Sequence, residues 1–190
     1  MSMDGLEALK LLSRARTDEV VVLSESARQD WPPLSSRPEL DIAITGSMGK
    51  ASSFGLGLAL ARPDVRVWVL DSDGALLMNL GSLVTISAAR PANLLHIVNN
   101  NAAYDTTGGQ PTPGTGIVDF PAMARAAKYP RTFVFEDVAD FERELPAVLD
   151  GLMPTLVDLR VASRGRRTNM AMKRMSESFS SMKDYLANHP

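Results

Sequence analysis

Residues 65–101, VRVWVLDSDGALLMNLGSLVTISAARPANLLHIVNNN, carry two short apolar runs on either side of a longer apolar-periodic segment. Brief runs rich in Val, Ile and Leu, bounded by turn residues, read as strands buried on both faces. Here they cover 65–70 and 94–98, with ALLMNLGSLVTISAA, 75–89, as the helix between them. Such a crossover within one sheet is right-handed and leaves its two strands parallel. The alternation extends outward in both directions. VVVL (20–23), DIAI (41–44), TFVF (132–135) and TLVDLRV (155–161) read as further strands. LEALKLLSRA (6–15), GKASSFGLGLALA (49–61), FPAMARAAK (120–128) and DVADFERELPAVLDG (137–151) read as helices, and 24–40, with Pro32, Pro33 and Pro38, as an irregular connection. The expected fold class is α/β: a three-layer open, mainly parallel sheet with helices on both faces, forming one domain over 1–190.

With 190 residues, 45% hydrophobic and 22% charged, the chain is long and apolar enough to bury a full core. A net charge of −2, with Lys and Arg spread along the chain, argues against a nucleic-acid face or a membrane-binding basic helix. A small molecule or another protein is the expected partner. The absence of Cys excludes disulfides, thiolate metal sites and Cys nucleophiles. The first residues lack the basic-then-apolar layout of a signal peptide, and no apolar run approaches the roughly 18 residues of a membrane span. A cytoplasmic protein is therefore expected.

Asp71, Ser72, Asp73 and Gly74 fall at the carboxyl end of the 65–70 strand, where open α/β sheets bind ligands. Alone, Asp73 has a plain structural reading as a helix N-cap. VNNNAAYD, 98–105, follows the next strand, and in adjacent parallel strands about 4.8 Å apart its Asn cluster meets Asp73 at one sheet edge. One carboxylate, one amide oxygen and one backbone carbonyl form an incomplete oxygen shell. That shell suits a magnesium ion completed by water and a phosphate compound. A helix beginning near Gly74 adds backbone N–H groups and a positive dipole end, both favourable to a diphosphate.

Asp73-Gly74, a helix and Asn100-Asn101 resemble the thiamine diphosphate signature, Gly-Asp-Gly followed after about 25 residues by Asn-Asn, a spacing set by metal geometry. Here residues 75–99 intervene. From GSMGKASSFGLGLALA at 46 to TTGGQPT at 112, the chain is similar throughout to the diphosphate-binding domain of the phosphonopyruvate decarboxylase and sulfopyruvate decarboxylase β-subunit family. The resemblance implies that the side chains of Asp73 and Asn101 and the carbonyl of Ala103 hold magnesium, and that Gly74 and Ala75 offer N–H groups to the diphosphate. It implies that GSMG, 46–49, holds the aminopyrimidine: the Gly46 carbonyl accepts from its amino group, Ser47 lies alongside, and Met48 is the apolar wedge under the bent cofactor. A core Met is the alternative reading at 48. Ser72 stands where the signature has its first Gly. Tyr104 and Asp105 stand where the phosphonopyruvate enzymes have His and Glu, which makes them this chain's catalytic candidates.

Thiamine diphosphate serves as a carbanion sink in the decarboxylation of 2-oxo acids. In the family the Glu that activates it comes from a separate pyrimidine-binding domain, and Glu25, after VVVLS, lies in the wrong segment for that task and reads as structural or solvated. The resemblance thus implies half an enzyme: the diphosphate-binding subunit of a two-subunit, thiamine diphosphate- and Mg2+-dependent decarboxylase acting on sulfopyruvate, phosphonopyruvate or a similar small anionic oxo acid. An α-type pyrimidine-binding subunit would complete it as a hetero-oligomer, with a homodimer of this chain alone as a further option. A thiamine-dependent carboligase subunit, or a non-catalytic cofactor-binding or interaction protein, are the alternatives.

The remaining features have plainer readings. GLGLA, 55–59, lies inside a helix pattern and signals close helix packing rather than a dinucleotide turn. His96 is expected as a hydrogen-bonded core residue, and His189 in a frayed end. SRGRR, 163–167, reads as a solvated loop or a contact for an anionic group. GGQPTPGTG, 108–116, is either a mobile loop over the cofactor or a surface turn. In the tail, Met172, Met175, Phe179, Met182 and Leu186 form one apolar stripe of a helix at about 170–187, suited to packing on its own domain or to a subunit contact.

Overall fold

The computed structural model describes residues 3–151, 153–165 and 175–188. Six parallel strands form one open sheet: β1 (Val20–Leu23), β2 (Asp41–Ala43), β3 (Val67–Ser72), β4 (Leu94–Asn100), β7 (Arg131–Phe135) and β8 (Thr155–Arg160), in the order β2-β1-β3-β4-β8-β7. A two-stranded ribbon, β5 (Ala103–Tyr104) with β6 (Gln110–Pro111), stands beyond the carboxyl end of β4. Among the described residues the helices are α1 (Gly5–Ala15), α2 (Ala27–Asp30), α3 (Ala51–Ala61), α4 (Asp73–Leu77), α5 (Gly81–Ala89), α6 (Phe120–Ala126), α7 (Val138–Asp150) and α8 (Met175–Asn188), with a short 3-10 turn at Pro38–Leu40.

The sheet is apolar on both faces because it is covered on both. In β3, Trp68 and Leu70 join the core under α1 and α7 with Trp31 and Phe141. Val67 and Val69 point the other way, to Leu56, Ile86, Phe120 and Met182 from α3, α5, α6 and α8. Each such fully buried side chain contributes about 1.5–3 kcal/mol. Gly55 on α3 is required by this closeness, since a Cβ there would sit 2.3 Å from Val69 Cγ2. GLGLA is therefore a packing feature, as its position inside a helix predicts.

Several boundaries differ from the sequence reading. β3 and β4 run on through Ser72 and Asn100, so the polar strand ends are still paired with neighbours. The expected single helix over 75–89 is broken into α4 and α5. Asn79 explains the break: its Nδ2 donates to the Gly49 carbonyl at 2.8 Å and to Ser53 Oγ at 3.2 Å, bonds that draw the chain toward α3. The connection over 24–40 is not wholly irregular, because it holds α2 and the 3-10 turn. At the tail, α8 lies against β2 and the 3-10 turn with Met182 buried, Phe179 and Leu186 packed on the core, and Arg37 donating to Tyr185 Oη at 2.9 Å. The stripe thus packs on its own chain from Phe179 onward; Met172 and His189 lie outside the described residues. Among the described residues no helix is long and apolar enough to cross a membrane.

Strand order reverses between β1 and β3: β2 continues on one side, and β4 on the other. The crevice outside the carboxyl ends at such a reversal is where open parallel sheets bind ligands.

Candidate functional site

That crevice is lined by Glu25 and Ser26 after β1, Met48 after β2, Ser72 and Gly74 at the end of β3, and Asn101, Ala103, Tyr104, Asp105 and Thr106 after β4. The fold therefore gathers Met48, Gly74, Asn101, Ala103, Tyr104 and Asp105 at one sheet edge; parallel strand geometry predicts the meeting of the 71–74 turn with the Asn cluster, and the resemblance alone points to Met48. Gly46 and Ser47 belong to the adjoining turn. Gly46 and Gly49 both have positive φ, +65° and +75°, a conformation that favours Gly and turns the 46–49 backbone sharply before α3.

Asp73 is almost fully buried at the start of α4. Its Oδ2 accepts from the Thr112 hydroxyl at 3.0 Å, while Oδ1 is buried without a hydrogen-bond partner. Burial pushes the carboxyl up to about 6; the Thr112 bond and the nearby amides of Gly74 and Ala102 offset only part of that effect. A carboxylate held dry with one oxygen unsatisfied is poorly stabilised by the protein alone and well suited to a cation.

Ser72, in the place of the usual Gly, is the N-cap of α4: its Oγ accepts from the Ala75 N–H at 3.3 Å. The cap thus falls to Ser72 rather than Asp73, which leaves the Asp73 carboxylate for other work. It also means that the Ala75 N–H, expected to serve a diphosphate, already has a partner in the protein. α4 is only five residues long, so the dipole expected from a long helix here is correspondingly short.

Asn101 accepts the Ala103 N–H on Oδ1 at 3.1 Å and donates from Nδ2 to Asp105 Oδ2 at 2.9 Å. Ala103 stands opposite Pro111 in the ribbon, and Pro has no N–H to offer the Ala103 carbonyl. Tyr104 covers Gly74: a Cβ at 74 would lie 2.4 Å from Tyr104 Cε1. Asp105, a catalytic candidate from sequence, is buried with both oxygens engaged, by Asn101 Nδ2, by Ser163 Oγ at 2.7 Å and by the Arg164 N–H at 3.1 Å. It lines the crevice, yet its carboxylate is committed to these protein donors, which suits it to holding its neighbours in place.

Four residues carry more of the site than their sequence signals suggest. Glu25 is 9% exposed rather than solvated, sits in the left-handed region at φ +35°, pairs with Arg28 at 3.5 Å and accepts from Thr106 Oγ1 at 3.4 Å. A non-Gly residue held there marks local strain of the kind found at binding sites. Thr112 is buried and ties the 108–116 loop to Asp73. Ser163 and Arg164 bind Asp105 and Asp30, so the start of SRGRR contacts the protein's own carboxylates. By contrast Asp71 faces inward, accepting Ser24 Oγ at 2.8 Å and meeting His96 Nε2 at 3.2 Å, which makes His96 the hydrogen-bonded core residue expected.

Parallel doubly wound topology with a polar crevice at the strand-order reversal defines the open α/β class whose ligands bind at that crevice. Residues 27–159 match the family model described as "Thiamine pyrophosphate enzyme, C-terminal TPP binding domain", and the chain belongs to that family. It is 38% identical over 153 residues to the sulfopyruvate decarboxylase subunit beta of Methanothermobacter thermautotrophicus, covering 80% of this chain and 79% of that one. It is 42% identical over 118 residues to the phosphonopyruvate decarboxylase of Streptomyces viridochromogenes, covering 62% of this chain but 29% of that protein. The fold matches benzoylformate decarboxylase from Polynucleobacter necessarius with a TM-score of 0.70 at 16% identity, over 87% of this chain and 34% of that one. The chain therefore spans about a third or less of the longer decarboxylases and most of the shorter subunit.

Proposed function

We propose that this chain is the diphosphate-binding subunit of a two-subunit decarboxylase that uses thiamine diphosphate and Mg2+ and acts on a small anionic 2-oxo acid of the sulfopyruvate or phosphonopyruvate kind. The observation that carries the reading is the buried, unpartnered Oδ1 of Asp73 at the strand-order reversal, with Asn101 and Ala103 on the neighbouring strand's loop. Among the described residues no three His, Asp or Glu side chains converge as a metal cluster, so a cation here would have one carboxylate and depend on oxygens of a bound anion. A magnesium diphosphate meets that need, and the donor set fits it.

In this reading Asp73 Oδ1, Asn101 Oδ1 and the Ala103 carbonyl hold Mg2+. Gly74 lets a diphosphate approach the backbone, and Ala75 exchanges its Ser72 contact for a phosphate oxygen. The Gly46 carbonyl and Ser47 meet the aminopyrimidine, and Met48 sets its angle to the thiazolium. Bound thiamine diphosphate supplies the electron sink that lets carbon dioxide leave a 2-oxo acid. Tyr104, beside Gly74 in the crevice, is the residue of this chain best placed to touch substrate, whereas Asp105 works at one remove. The names of the relatives support the decarboxylase class and the β-type role; the activating Glu and the second wall of the site belong to a pyrimidine-binding α-type partner.

Calorimetric titration with thiamine diphosphate tests this, with and without Mg2+, for the chain alone and mixed with a candidate partner subunit. Binding that requires Mg2+ and tightens with the partner is expected, together with carbon dioxide release from sulfopyruvate or phosphonopyruvate by the mixture. Absence of binding in every state refutes the reading. Binding with aldehyde condensation but no release of free aldehyde would replace the decarboxylase by a carboligase.

A further inference from the structure

We propose that Asp105 is the positioning residue of the metal site: it fixes which end of the Asn101 side chain faces the cation and anchors that choice to the segment after β8. The inference rests on the reading of Asn101 as a metal ligand. An Asn amide has two ends of almost equal shape and opposite chemistry, an oxygen that accepts and an NH2 that donates, and only the oxygen ligates. Two neighbours select the orientation. The Ala103 N–H meets Oδ1 at 3.1 Å, and Asp105 Oδ2 takes Nδ2 at 2.9 Å. A flip would set Oδ1 against a carboxylate oxygen and Nδ2 against an N–H, so both contacts would turn repulsive.

Asp105 is itself held. Its Oδ1 accepts Ser163 Oγ at 2.7 Å and its Oδ2 accepts the Arg164 N–H at 3.1 Å, while the Arg164 guanidinium pairs with Asp30 at the end of α2. The connections after β4 and β8 are thereby tied through the Asp105 carboxylate, and Arg164 links the latter to the connection after β1 through Asp30. Groups that orient a ligand from outside the metal's own shell characteristically change metal affinity by about 10- to 100-fold when removed.

The test is Mn2+ affinity in the presence of thiamine diphosphate, read from the paramagnetic resonance of free Mn2+, for the full chain and its variants. Asp105→Ala is expected to weaken Mn2+ binding by about 10- to 100-fold with an unchanged circular dichroism spectrum. Asp105→Asn is expected to recover most of that loss, because its Oδ1 can still take Asn101 Nδ2 and the Arg164 N–H while its Nδ2 donates to Ser163 Oγ. A merely structural Asp would change unfolding without this pattern in metal affinity. Native affinity in the folded Ala variant overturns the proposal, and so does an Asn variant as weak as the Ala variant, which would assign the effect to charge. If the Ala variant does not fold, Ser163→Ala carries the test. An affinity lower by about three- to tenfold, the worth of one hydrogen bond, supports the proposal, and an unchanged one overturns it. Native protein that fails to bind Mn2+ with the cofactor overturns the functional reading as well, whereas native binding with an indifferent Asp105→Ala overturns this inference alone.

Discussion

Replacing Asp73 with Asn should make the metal-free protein more stable while abolishing its metal-dependent cofactor binding. Burial holds the Asp73 carboxyl near pKa 6, against an ordinary 3.8. The native state therefore binds this proton more tightly than the unfolded chain does. The stability linked to it is fully present below about pH 4 and is lost as pH rises through about 6. A shift of that size amounts to about 3 kcal/mol at pH 7 and above, on the order of 6–12 °C in melting temperature for a chain of this length. Asn keeps the shape and can still accept the Thr112 hydroxyl, but carries no charge to desolvate. Urea or thermal unfolding in EDTA, at pH 4 and at pH 7.5, measures the difference. The variant should gain most at the higher pH and little at the lower, while titration with Mg2+ and thiamine diphosphate shows no binding. Equal stability at both pH values, or retained magnesium-dependent binding, would refute the reasoning.

Met48→Ala should lower turnover of the reconstituted enzyme by about tenfold or more while changing cofactor affinity little, since a wedge acts on geometry rather than on the diphosphate; equal turnover removes that role. Gly55→Ala should destabilise the chain by about 1–3 kcal/mol in urea unfolding, because its Cβ meets Val69 Cγ2 in a packed layer, and an unchanged midpoint would mean that α3 can lift from the sheet at no cost. In the native protein without chelator, added Mg2+ and cofactor should raise the melting temperature at pH 7.5 more than at pH 5, where a proton competes for Asp73; equal shifts count against Asp73 as a ligand.

Much of the fold is legible in composition and period. VVVL forms β1 over the very residues of its apolar run, and the largely apolar runs before Asp71 and Asn99 seed β3 and β4, because strands buried on both faces need predominantly apolar sequence. The placement of Asp73 and the Asn cluster at one edge of the sheet follows from parallel geometry alone. What stays hidden depends on contacts between residues far apart in the chain. The break between α4 and α5 hangs on Asn79 reaching Gly49, 30 residues away. Thr112 reaches Asp73 across 39 residues and Ser163 reaches Asp105 across 58, and no periodicity in a single chain records such pairs. Glu25 reads as an ordinary strand-end carboxylate because its left-handed backbone is imposed by the fold and has no local signature.

The ring of Tyr104 over Gly74 links the mutational fates of two positions. Any side chain at 74 lands 2.4 Å from Tyr104 Cε1 and 2.8 Å from Cδ1, so the ring must leave before position 74 can grow. Substitution at 74 alone is then deleterious, whereas the same change in a background where residue 104 is already small is far better tolerated. The two sites form an epistatic pair with an ordered path, in which 104 changes first. Among descendants of such a sequence, a bulky aromatic at 104 and any residue other than Gly at 74 should be mutually exclusive.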